Sequence, residues 1–458
     1  MTTPVGGDRA AKGGLAGWMP RWEPEAPAFW RESGSAIAWR TLILTTISLV
    51  LSFATWFVMS VLVVRLPAIG FKFDTMQLFW LAAMPGLAGG TLRIIHTFLI
   101  PIFGTRLVVG IATLLKLIPC IGLGLAVLNP ETPFGVFMLL GLLAGMGGGD
   151  FSSYMPSTSL FFPKRLQGAA LGIQAGIGNF GVSLAQFVSP WIIGFAAFGA
   201  LGGGAQRFTK GAVTKDIWLQ NAVLWYVPLL VAIGLICLIV LRSVPIKASF
   251  REQLDIFKNK HTWFCTITYV MTFGSFSGFA AAFPLMIKTV YGGFPDAPDP
   301  LKYAFLGPLI GSATRVAFGF IADKVGGAIL THVAGLAMIG LCGVMVFSGA
   351  LAPTSTAQFP LFVGCMLGLF FFSGIGNAST FRQFPIIFAH SPRQGAQVLG
   401  WTGAVAAYGP FAFSMLVGAA ITRTGSATPF FVGAAAFYLA ALAINWWYYT
   451  RKGCERPS

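Results

Sequence analysis

Long apolar stretches separated by short polar ones run through almost the whole chain. Leu107–Leu128, Asn221–Leu241 and Ala328–Leu351 are each close to the ~20 residues that cross a bilayer as a helix. The pattern predicts twelve helices, over 42–64, 77–104, 107–128, 134–160, 166–197, 220–241, 262–287, 303–321, 328–351, 359–388, 396–420 and 429–450. The short alternating strands of a membrane β-barrel are absent from it. The expected fold class is therefore an all-α membrane protein of twelve transmembrane helices.

An even number of spans puts both termini on one side. With the termini inside, the inner segments hold 18 Lys and Arg and the outer segments eight. That excess predicts cytoplasmic termini by the positive-inside rule. The longest strongly charged connection, RSVPIKASFREQLDIFKNKH (242–261), divides the spans into six and six. The expected organisation is a cytoplasmic tail (1–41), a six-helix bundle (42–241), a cytoplasmic linker (242–261), a second six-helix bundle (262–450) and a short tail (451–458). The halves echo each other. FFPKRLQGAALGIQAGIGN (161–179) and AHSPRQGAQVLGWTGAVAAYG (389–409) both read Pro, basic residue, Gln-Gly-Ala, then a Gly/Ala-rich helix. Two facing, pseudo-symmetric six-helix repeats are the plan of the major facilitator transporters, with a substrate site between them near mid-membrane.

Composition adds exclusions. Charged residues make up 10% of the 458, against roughly 25% in soluble domains. The net charge of +16 is scattered between apolar runs and forms no basic patch with interleaved aromatics, so nucleic acid is excluded as a partner. Six cysteines form no CxxC pair and five lie inside spans, where they read as small apolar residues. The first 40 residues lack the apolar core of a signal peptide. Four scattered His and isolated Cys offer neither a nucleophile–base pair nor a metal cluster, so neither an enzyme nor a cofactor is expected.

Candidate chemistry lies in the polar residues inside spans, where charge is costly and usually functional or paired. At ~1.5 Å of rise per residue, Arg93 lies about 16 Å from the inner end of the second span and Arg315 about 18 Å from the outer end of the eighth. Both are near the midplane, one per repeat, and the pseudo-twofold axis points them into one cavity. Two converging guanidiniums with almost no acid nearby suit a small planar oxyanion, which the fork-shaped group binds bidentately. The alternatives are structural pairing with carbonyls, or snorkelling. Asn179 and Tyr269 can each donate one hydrogen bond to the anion, or can serve helix packing. Phe53, Phe151 and Phe273 could sandwich a flat ligand, or be core. Ten glycines between 141 and 183 allow close helix approach; a direct substrate role fits Gly178 and, in the second half, Gly376. Phosphate would ask for more donors, and a carboxylate would need room for its tail.

These stretches also carry a family resemblance. GLLAGMGGGDFSSYMPSTSLFFPKRLQGAALGIQAGIGNFGVS (141–183) resembles the nitrate signature of the nitrate/nitrite porter family, a branch of the major facilitators. FFSGIGNASTFRQFPIIF (371–388) resembles its second-half counterpart, GSATRVAFGFIADKVGG (311–327) is similar to the superfamily's loop motif, and WEPEAPAFW (22–30) resembles bacterial members. The resemblance implies a multi-pass inner (plasma) membrane transporter acting as a monomer in lipid. Nitrate or nitrite would be clamped by Arg93 and Arg315, with Asn179 and Tyr269 donating and Phe53, Phe151 and Phe273 packing on the anion. The chain departs from many exchanger-type members at Asp150, Lys116 and Arg382, and in its short 389–397 connection.

Those departures bear on coupling. An empty two-arginine site holds like charges in low dielectric, which favours anion-for-anion exchange. Asp150 is the only acid inside a predicted span, at the depth of Lys116, and the two are expected to pair. The pair is either a static link between helices or a proton carrier, with His96 as relay or simple polar lining. Proton-coupled nitrate uptake is the expected mode and nitrate/nitrite antiport the alternative.

Overall fold

The computed structural model describes residues 16–210, 213–245 and 251–458. The first fifteen residues of the expected N-terminal tail, and 246–250 of the expected linker, lie outside the described residues.

Among the described residues, twelve long helices follow one another: α1 (Pro27–Ile69), α2 (Thr75–His96), α3 (Leu99–Ala126), α4 (Phe134–Phe161), α5 (Lys164–Ile192), α6 (Asn221–Val240), α7 (Lys260–Tyr291), α8 (Leu301–Val325), α9 (Gly327–Phe347), α10 (Thr356–Ile387), α11 (Arg393–Thr424) and α12 (Thr428–Thr450). Eleven are long and apolar enough to cross a membrane. The remaining one, α5, has 29 residues and buries a polar face that includes Gln174, Asn179, Ser183, Gln186 and Ser189. It reads as weakly apolar because of that buried polar face, although Ile177, Phe187 and Trp191 are exposed on its other side.

Three boundaries differ from expectation. The first helix starts at Pro27 instead of residue 42. Proline fits the first helical turn because its missing N–H has no partner there anyway. Trp22 and Trp30 then pack against Phe161 and Phe162 at the end of α4. The second helix ends at His96 instead of 104, and the chain turns again at Gly104, whose φ of 78° favours a residue without Cβ. Pro101 has no N–H to continue a ladder from Thr97. The third difference is a hairpin, β1 (Gln206–Lys210) and β2 (Val213–Ile217), in the α5–α6 connection.

The termini and the linker share one face. The Met19 N–H donates to Ser243 O at 2.9 Å, the Ala328 N–H to Ser458 O at 2.9 Å, and Lys260 pairs with Glu455 at 2.7 Å. Lys260 and His261 hold the Glu455 carboxyl down to about 2, so the last pair persists well below neutral pH. The hairpin marks the opposite face.

Glycines set the helix spacing within each half. A Cβ on Gly147 would lie 2.1 Å from Ser52 O, and one on Gly181 2.1 Å from Val50 O. These contacts wedge α1 between α4 and α5. The halves are tied together mainly toward the hairpin face. Arg65 at the end of α1 reaches both oxygens of Asp299, at 2.8 and 2.7 Å, and stacks 5.1 Å over Phe208 of β1. Gln186 donates to Ala280 O and Ser183 to Phe305 O.

A part-buried ion pair of this kind stabilises the closed hairpin face by about 1 kcal/mol, roughly fivefold in population. Asp299→Ala should therefore speed the labelling of a cysteine placed at Ser183 by a membrane-impermeant maleimide several-fold. An unchanged labelling rate would mean that Arg65–Asp299 does not hold this face shut.

Candidate functional site

Arg93 sits near the end of α2 and is fully buried. Its Nε donates to Gly148 O on α4 at 2.9 Å and its Nη1 to Gly403 O on α11 at 2.6 Å. One acceptor therefore belongs to each half. Its Nη2 is buried without a partner. The guanidinium carbon lies 4.8 Å from the Phe151 ring centre, 5.2 Å from Phe273 and 5.4 Å from Trp56. Aromatic faces carry negative partial charge, and they replace some of the solvation lost on burial.

Arg315 on α8 is 6% exposed. Its guanidinium lies 4.7 Å over Phe381 of α10, and its Nη1 has no partner. The Tyr269 hydroxyl of α7 lies beside it and within electrostatic reach of Arg93. The two arginines also feel each other's charge. Among the described residues neither forms an ion pair with a carboxylate.

Asn179 on α5 is buried, with both amide atoms unpartnered. Phe53 meets Phe151 at 6.2 Å, and Phe273 stacks on Tyr269 at 5.5 Å. The aromatic residues read from the sequence thus connect to one cluster that touches both guanidiniums. Gly178 and Gly376 take another place. A Cβ on Gly178 would meet Leu49 of α1 at 2.7 Å, and one on Gly376 would meet Thr272 of α7 at 2.5 Å. Both glycines face neighbouring helices, so they bring α5 close to α1 and α10 close to α7.

A second polar cluster lies behind Arg93. Asp150 and Lys116 pair at 2.5 Å, each with 1% of its side chain exposed. Ser52 donates to the same Asp150 oxygen at 2.6 Å, and Lys116 also reaches Ala112 O at 2.7 Å. His96 Nδ1 lies 3.0 Å from Ser153 Oγ and 3.7 Å from Asp150. Asp150 follows Gly148, the acceptor of Arg93, by two residues. Arg382 stands outside both clusters and pairs with Asp323 near the end of α8 at 2.8 Å.

The Gly148 and Gly403 carbonyls escape sequence reading because a backbone acceptor has no side-chain signature. Trp56 was within reach, one turn from Phe53 on α1. So was Asn377, because the tetrapeptide Gly-Ile-Gly-Asn occurs at both 176–179 and 374–377.

The sequence matches the Major Facilitator Superfamily over residues 44–389. It is 59% identical over 441 residues to a protein of Thermus thermophilus named "Probable nitrate/nitrite antiporter NarK2", covering 96% of this chain and 98% of that one. The chain belongs to the nitrate/nitrite porter family of the major facilitator superfamily. Another relative of this porter chain, "Nitrate/nitrite transporter NarU" of Escherichia coli, is 36% identical over 455 residues, 94% of this chain and 96% of its own. The fold of the porter is shared with a solved structure titled as a bacterial homolog to the human lysosomal transporter Spinster, inward-facing and occupied. The TM-score is 0.65 at 14% identity, over 90% of this chain and 96% of that one.

The buried pair in this porter can be tested by stability alone. Lys116→Met strands the Asp150 carboxylate, at about 3–5 kcal/mol. The single variant should melt well below wild type in detergent, and Lys116→Met with Asp150→Asn should regain most of the loss. A double variant no more stable than the single would show that the pair does not act as a unit.

Proposed function

We propose that the protein moves nitrate and nitrite across the inner membrane by alternating access, with the anion held between Arg93 and Arg315. The observation that carries this reading is the pair of buried guanidiniums, one from each half, each with an N–H group free and no acid beside it. A planar oxyanion supplies the missing acceptors and neutralises part of the charge. Asn179 and Tyr269 add donors, and Phe53, Phe151 and Phe273 pack on the anion as part of the aromatic walls. The names of the relatives support the same substrate class. The linker face is placed in the cytoplasm by its excess of Lys and Arg. All of these groups come from one chain, which supports a monomer in lipid.

Proton-coupled uptake is the coupling mode favoured by Asp150. The acid is buried beside Lys116 and His96, and it is two residues from the carbonyl that holds Arg93. A proton on Asp150 frees Lys116 and alters the field at the clamp. His96, near the linker face and 8% exposed, supplies a path for that proton. Exchange of nitrate for nitrite is the second reading. It rests on the acid-free clamp, since an empty site leaves two like charges facing each other.

Arg93→Lys and Arg315→Lys should each abolish nitrate uptake into liposomes while the protein still inserts, because Lys keeps the charge and loses the planar fork. Uptake near wild type in either variant would rule out a two-arginine clamp.

Asp150→Asn should remove the drive from a pH gradient and leave counter-flow of nitrate against internal nitrite, since exchange needs no net proton movement. Proton-driven uptake that survives in Asp150→Asn with Lys116→Met would assign the pair to structure and the proton coupling to another group.

A further inference from the structure

The amide of Asn377 is 1% exposed, and both its Nδ2 and Oδ1 lack a partner. A buried amide left unpaired costs about as much as a lost hydrogen bond, so such a group invites a ligand. Its surroundings say where the ligand lies. At 3.6 residues per turn, Phe370, Asn377, Phe381 and Phe384 occupy a stripe about 60° wide on α10. The three rings of that stripe meet α7. Phe370 packs edge-on to Phe276 at 6.0 Å, and Phe381 and Phe384 lie 5.7 and 6.0 Å from Tyr269. Asn377 therefore faces α7 between the levels of Tyr269 and Phe276, where Phe273 sits. Phe273 touches Arg93, and Phe381 touches Arg315. The amide is thus an unpartnered polar group in an aromatic wall, bracketed by the rings on which the two guanidiniums rest.

We propose that Asn377 is a ligand for the third oxygen of nitrate and that it sets the preference for nitrate over nitrite. The inference rests on the clamp reading above. Nitrate is a trigonal plane of three oxygens, and nitrite is a bent ion of two. Two oxygens of either ion can take the free N–H groups of Arg93 Nη2 and Arg315 Nη1. Only nitrate keeps an oxygen in need of a further donor. Asn377 supplies its NH2 to that oxygen and can turn its carbonyl to an arginine N–H, so both empty amide atoms find partners at once. Asn179 and Tyr269 serve the two oxygens that the arginines hold.

The test is calorimetric titration of purified protein with nitrate and with nitrite. Asn377→Ala should weaken nitrate binding about 10- to 100-fold, the loss of one hydrogen bond to a charged group, and nitrite binding less than threefold. Equal weakening of both ions, or of neither, would overturn the selectivity role. Asn377→Asp covers the case in which the alanine variant folds poorly. Its carboxylate should repel nitrate at neutral pH and readmit it as the pH falls and the group is protonated, which a purely structural residue would not produce. Pre-titration melting curves identify any variant that has lost its fold. Arg93→Lys in the same assay separates the two claims. Loss of binding there with Asn377 variants unchanged removes this inference and keeps the clamp; unchanged binding in Arg93→Lys removes the clamp itself.

Discussion

Burying a guanidinium without a carboxylate is the constraint around which the rest is arranged. The effective penalty for taking one charge out of water is several kcal/mol, and this fold does it twice, close enough for the charges to repel. An acid beside each arginine would remove the penalty and also occupy the site. The protein uses weaker partners, which on the proposed reading leave room for an anion. Arg93 has two carbonyls and three aromatic faces, and Arg315 has one aromatic face and a tyrosine. The local packing follows. A Cβ on Gly148 would press to 2.6 Å from Trp56, so that helix can bring its carbonyl to Arg93 only with glycine there. At Gly403 a Cβ would stand 3.6 Å from the Arg93 Nη1.

The same constraint explains why the one acid near the clamp is kept occupied. Asp150 would be drawn to Arg93 by Coulomb attraction if it were free. Lys116 and Ser52 hold its second oxygen instead. A buried carboxylate–ammonium pair is close to neutral from a distance, so it disturbs the clamp little while intact. It disturbs it much more when a proton breaks it. A static pair and a coupling device share this geometry, and they differ only in whether a proton reaches Asp150 during the cycle.

Much of this was legible in the sequence, for stated reasons. Helices in lipid must satisfy their own backbone groups, so apolar length reports eleven of the twelve long helices, and α5 is the weak one. Arg93 and Arg315 stood out because charge is rare at that depth. Asp150 and Lys116 were matched by depth on adjacent spans, and they do meet. The failures have equally physical causes. The start of α1 at Pro27 lies in a charged, Trp-rich stretch whose apolar face appears only against Phe161 and Phe162. The hairpin over Phe208 is short and polar and carries no strong periodic signal. Gly178 and Gly376 sit next to polar residues in sequence, yet a helix turns neighbours by 100°, so they face packing contacts instead. Asn377 repeats the Gly-Ile-Gly-Asn of Asn179, but an uncharged amide inside a span is a weaker signal than a guanidinium.

Arg93 also links binding to motion. Of its two carbonyl partners, Gly148 belongs to the first half and Gly403 to the second. Rocking the halves apart on the linker side stretches the bond to Gly403 and leaves a buried donor empty, at about 1–3 kcal/mol or more for a charged group. A bound oxyanion offers that donor an acceptor that travels with the site. On the proposed reading, in which an anion sits at these arginines, the site is easier to reorganise loaded than empty, because one side chain spans the interface. Ties such as Arg65–Asp299 decide which face is shut. On the same proposed reading, what accepts the Arg93 hydrogen bonds while the halves move sets how easily they exchange faces.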